Sequence, residues 1–165
     1  MNKFLIKLKT QKKLEVIEKS EEVCQAYLLK SENCLKSSKI LLKEAIYENA
    51  IIDSYYAMYN CVLALFFKCG IKCENHYGSS FVLKETFNVP HLSVMLKKAK
   101  KSRIDSQYYI SGNRDVGSEA NISKGSAEEA IKISEDFILQ LKAFMHNLKN
   151  LDMDRIRKDL SVEDK

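Results

Sequence analysis

Three sets of side chains in this 165-residue chain could do chemistry. In "CGIKCENH", Cys69, Cys73 and His76 lie close enough to suggest metal ligands. A structural zinc site takes four ligands, usually with tighter cysteine spacing, and no matching second half follows. The five cysteines are an odd number without secretory context, so the residues predict reduced thiols, no metal and no cofactor. The second set is cationic. Residues 84–103 hold five lysines and Arg103 against Glu85, and residues 1–20 hold six lysines against Glu15 and Glu18. The formal charge is +5, so the remainder is net acidic. Lys97, Lys98, Lys100 and Lys101 suit weak binding of a polyanion without sequence preference; a solvated lysine face is the alternative. The third set is Asp53, Tyr56 and Asn60, at i, i+3 and i+7, a polar strip on an otherwise apolar helix. It reads as a ligand-facing strip, a polar network between helices, or a dimer seam.

The elements that position these residues are helical. One proline and five glycines leave few chain breakers. Residues 1–20 read as a basic amphipathic helix or arm, with Phe4, Leu5, Leu8 and Ile17 able to pack. Ser20-Glu-Glu can start a long helix that runs to Tyr47. A second spans about Asn49 to Cys69 and stops at Gly70. Within it Tyr55, Tyr59, Val62 and Phe66 share one face, widened by Ile51, Met58, Leu65 and Cys69. Ala57, Cys61 and Ala64 let another helix approach. A helix apolar nearly all round is buried, so this is the centre of a bundle.

After Gly70 the sequence predicts an irregular "IKCENHYGSS", a short helix through Phe87, a break at Pro90 and a basic helix over 91–103. Residues 111–125 read as a loop. The last helix is expected to be capped by Ser126 with Glu129, and to bury Ala130, Ile133, Phe137, Leu141 and Phe144. Residues 21–150 thus predict an all-α, antiparallel up-and-down four-helix bundle with short additional helices, and 151–165 a polar tail, frayed or used in contacts. The longest uncharged apolar run, Cys61–Phe67, is far short of the roughly 20 residues a bilayer needs, and no signal peptide is visible. The expectation is a soluble cytoplasmic protein. No helix-turn-helix, zinc-finger or RNP pattern is present to read bases, which leaves Tyr77, Tyr108 and Tyr109 for stacking.

"AIIDSYYAMYNCVLALFFKCGI", "NHYGSSFVLKETF", "SRIDSQYY" and "SAEEAIKISEDFI", in that order over about residues 31–145, resemble the HEPN family (higher eukaryotes and prokaryotes nucleotide-binding), in its small stand-alone prokaryotic branch. The resemblance implies a four-helix bundle, often dimeric. In some branches it implies metal-independent RNA cleavage by an arginine followed four to six residues later by a histidine. No histidine here qualifies: the positions five to seven before His76, His91 and His146 hold no arginine, and Lys84 before His91 is the nearest substitute. What does match is His76, together with Arg103 and Tyr108 in "RIDSQY", with Gln107 where the family often has aspartate. His76 would carry a proton near neutral pH and Arg103 would grip phosphate. The structural alternatives are a histidine that orders its turn and an arginine linked to Asp105 or Asp53.

The reading that follows is a nucleotide- or RNA-binding accessory protein, partner of a small nucleotidyltransferase in a toxin–antitoxin-like pair. Candidate catalysis rests on His76 alone. The other readings are a ribonuclease with an atypical site at His76 and Arg103, or a helical scaffold. A homodimer is expected, with Tyr55, Tyr56 and Tyr59 as anchors.

Overall fold

The computed structural model describes residues 3–73, 75–108 and 122–161. Its elements in order are α1 (Lys3–Thr10), β1 (Leu14–Val16), α2 (Glu21–Lys43), α3 (Tyr47–Cys69), β2 (Ile71–Cys73), α4 (His76–Glu85), α5 (Pro90–Tyr108), α6 (Lys124–Asn147) and α7 (Asn150–Ser161). The protein is all-α apart from one small sheet. The long helices α2, α3, α5 and α6 make the bundle, with α3 packed against the other three.

Local chemistry sets the boundaries. Ser20 caps α2, its Oγ accepting from Val23 N at 3.2 Å, and Glu21 and Glu22 lie on the positive end of the helix. Gly70 ends α3 in the left-handed region (φ 69°), and its N–H satisfies the last-turn carbonyls. A methyl group there would come within 2.6 Å of the Ile17 carbonyl oxygen, so chain crossing and conformation both require glycine. Pro90 opens α5 instead of breaking the chain, because the first helical position needs no N–H donor.

The centre of the bundle is α3: fourteen of its 23 residues are buried, which places the tyrosine-rich face in the core. By length and composition α3 alone, among the described residues, could cross a membrane; here the other elements cover it. Ala57, Cys61 and Ala64 are fully buried. Close approach is cemented by buried serines: Ser31 Oγ donates to the Ala57 carbonyl at 2.7 Å, and Ser134 Oγ to the Ser54 carbonyl at 2.9 Å.

Four further expectations change. Residues 14–16 and 71–73 pair as an antiparallel two-stranded sheet, Glu15 opposite Lys72, so the basic arm is a helix plus a strand and the turn after Gly70 is partly regular. The cap of α6 is Ser123, with Ser126 reciprocating, one turn earlier than the Ser126–Glu129 pair. A second hydroxyl at the third position does the work expected of glutamate. The buried stripe of α6 is Ala127, Ile131, Ser134, Phe137, Ile138, Leu141 and Met145; Ile133 is exposed, and Ala130 and Phe144 are half-buried. Finally, residues 150–161 are helical, and α7 buries Met153 and Leu160 while Arg157 donates to the Ile17 carbonyl at 3.0 Å. The expected loop at 111–125 lies, up to residue 121, outside the described residues.

Candidate functional site

The antiparallel pairing of β2 with β1 fixes where α4 begins, two residues beyond the strand. Asn75 caps that helix, its side-chain oxygen accepting from Gly78 N at 2.7 Å, and His76 is the first helical residue. The ring of His76 is thereby laid against α3. It stacks on Tyr59 with centroids 3.9 Å apart, and its Nδ1 lies 2.7 Å from the Tyr55 hydroxyl. Tyr55 is buried, and desolvation pushes its pKa above the ordinary tyrosine range. Burial, then Lys100 and Arg103, push His76 below the usual imidazole value. Both shifts favour the neutral forms, a protonated phenol beside a neutral imidazole, and the tautomer of His76 decides which of the two donates.

Arg103 reaches the same place from α5. Its guanidinium carbon lies 5.7 Å from the Tyr55 ring centroid and 5.4 Å from that of Tyr56. Nη2 donates to Gln107 Oε1 at 2.8 Å, one helical turn on, while the buried Nε has no acceptor among the described residues. Lys100 lies close enough to Arg103 that burial and the arginine charge both depress its pKa. Lys97 and Lys100 place their ammonium groups 5.9 and 5.6 Å from the Tyr77 ring centroid. None of Lys97, Lys100 and Arg103 forms an ion pair among the described residues. These cations and the start of α4 concentrate positive potential around a neutral histidine, an arrangement that suits an anion.

The remaining candidates are divided. Lys98 lines a cavity of about 410 Å³ with Ile51, Ser54 and Met95 against α6, away from His76. Lys101 is solvent-exposed, so the four lysines do not form one patch. Asp53 accepts from Ser37 Oγ at 2.5 Å, and Asn60 Nδ2 donates to Cys34 Sγ at 3.5 Å, so both are tied to α2. Tyr56 instead turns toward Arg103 and His76, and the strip divides between two neighbours. Arg103 pairs with Gln107 and not with Asp53 or Asp105. The side chain of Tyr108 and all of Tyr109 lie outside the described residues. Tyr55 and Tyr59, expected as dimer anchors, are 1% and 7% exposed in the single chain, so neither is available to a second copy. Sequence reading missed their role as the floor under His76; the signal was their i, i+4 spacing on the buried face.

No disulfide joins the five cysteines, and burial raises the pKa of Cys61 and Cys69 to about 12. Among the described residues no three His, Cys, Asp or Glu side chains converge as metal ligands.

The HEPN domain family model matches residues 24–144, and the chain belongs to the HEPN family. No curated protein matches the chain. At the level of the family, membership supports a nucleotide- or RNA-related function.

Proposed function

We propose that this HEPN chain binds the phosphates of a nucleotide or of RNA at the surface where α4 meets α5, and that it does so as an accessory protein. The observation that carries this reading is the gathering of Lys100 and Arg103 about His76, with Lys97 at the neighbouring Tyr77, none of them ion-paired with a carboxylate among the described residues. Like charges brought together destabilise a fold unless something answers them, and a phosphate does so through charge-assisted hydrogen bonds. The Nε–H of Arg103, without an acceptor among the described residues, is a ready donor. The partner proposed is a small nucleotidyltransferase in a toxin–antitoxin-like pair, a reading supported by the family branch resembled. Self-association is proposed as well; with Tyr55 and Tyr59 inside the chain, it would use the outer faces of α2 and α6, where Ile40 and Leu139 are exposed.

The test is binding of polyphosphate at two salt concentrations to wild type and Arg103→Gln. Binding that weakens with salt and drops in the variant supports the reading; no binding at low salt sinks it. RNA cleavage by purified protein, lost in His76→Ala, would instead establish the ribonuclease.

A further inference from the structure

Tyr77, the second residue of α4, is 48% exposed, an unusual setting for a ring so firmly held. Phe4 packs edge-on to it at 5.4 Å and Phe81 lies tilted at 5.0 Å. Those two rings are themselves 4.7 Å apart, so Tyr77 is braced from behind by a small aromatic wall. Lys97 also covers Phe81 at 4.4 Å. A braced, half-exposed aromatic ring thus carries two ammonium groups over it, neither ion-paired among the described residues.

Lys97, Lys100 and Arg103 recur every third residue, so their Cα atoms span about 9 Å of helix. That exceeds one phosphate group, so the row can meet more than one phosphate of a strand. Base faces are hidden in a duplex, whereas an unpaired base can stack on an aromatic ring while its phosphates meet neighbouring cations. We propose that the ligand of this surface is a single-stranded polynucleotide, with one base stacked on Tyr77 and consecutive phosphates on Lys97, Lys100 and Arg103. The proposal rests on the phosphate-binding reading above and adds the strandedness of the ligand and the residue that selects it.

Three probes separate the two: single-stranded oligo(U), the same strand annealed to oligo(A), and base-free polyphosphate. Tyr77→Leu keeps an apolar side chain against Phe4 and Phe81 but has no ring; Tyr77→Phe keeps the ring, and a thermal melt of each variant confirms folding. Oligo(U) should bind more tightly than the duplex. Tyr77→Leu should weaken oligo(U) roughly 10-fold while leaving polyphosphate unchanged, and Tyr77→Phe should retain both. Equal binding of strand and duplex, or a Tyr77→Leu effect that is absent or the same for oligo(U) and polyphosphate, overturns the stacking proposal alone. If wild type binds neither oligo(U) nor polyphosphate, the phosphate reading fails and takes this proposal with it.

Discussion

Replacing Gln107 by glutamate changes the charge of the site while preserving its shape, and the outcome can be worked from one distance. Gln107 Oε1 accepts from Arg103 Nη2 at 2.8 Å. Glutamate has nearly the same shape, so the guanidinium would keep its place and gain a carboxylate partner. A phosphate gripped by the free edge of Arg103 would then lie about 6 Å from a new negative charge. Coulomb repulsion at that separation is about 0.7 kcal/mol in water and about 3 kcal/mol at an effective dielectric near 20. Affinity for polyphosphate should therefore fall about 3- to 100-fold, more at low salt than at high, since screening acts over about 10 Å at 0.1 M. Stability should move the other way or not at all, because a charge-assisted Arg–Glu bond is stronger than the neutral one it replaces. Gln107→Ala removes the positioning bond without adding charge and should cost less affinity. Fluorescence-detected binding and thermal melts of the same samples give both readouts. Unchanged affinity in Gln107→Glu at low salt, or a loss accompanied by a lower melting temperature, would refute a site built on the free charge of Arg103.

Three further outcomes are expected. The pKa of His76 is lowered in the fold, so the unfolded chain takes up a proton first: its contribution to stability is complete above about pH 6.5 and is lost as pH falls through the lower folded value. A bound phosphate reverses the preference by favouring imidazolium, so oligo(U) binding should tighten from pH 7.5 to about 5.5, an effect absent in His76→Gln. Lys97→Gln with Lys100→Gln should lower the slope of log affinity against log salt by roughly 1.5, whereas Lys98→Gln with Lys101→Gln should leave it nearly unchanged; equal effects would mean a diffuse basic face. Gly70→Ala forces a left-handed alanine whose Cβ meets the Ile17 carbonyl oxygen at 2.6 Å, and should cost about 2 kcal/mol or more in a denaturant melt.

Much of the bundle was legible because its signals are local. Ser20 with its two glutamates, the four-residue spacing of Tyr55 and Tyr59, and Gly70 each determine structure within a turn or so of themselves. The strand pair was not legible, since three residues at 14–16 and three at 71–73 carry no alternation long enough to register, and their partnership is set by tertiary packing. The stripe of α6 was misjudged at Ile133 for a related reason: Ile131 and Ile133 are both apolar, and only the position of α3 decides between them. In the candidate site, His76 and Arg103 stood out by motif, but α5 presents its lysines to different sides. Lys97 and Lys100 face Tyr77 while Lys98 faces α6, a division that depends on where α4 docks.

The position of α4 depends on α5, its main packing partner, and also on segments that flank the family match at 24–144. Phe4 of α1 backs Tyr77, and Leu8 packs so closely on Gly78 that a methyl group there would meet its Cδ1 at 2.6 Å. β1 pairs with β2, and the start of α4, with His76, follows directly. From the other end of the chain, α7 holds β1 in place: Arg157 donates to the Ile17 carbonyl, and Lys19 bridges to Asp154 at 2.6 Å. The salt bridge is exposed and contributes little by itself. The buried Leu5, Leu8, Leu14, Met153 and Leu160 carry the adhesion, since each removes a full apolar side chain from water. The common bundle therefore supplies the tyrosine floor and Arg103. The flanking arm adds Phe4 behind Tyr77 and the strand that pairs with β2 just before α4, while α7 braces that strand.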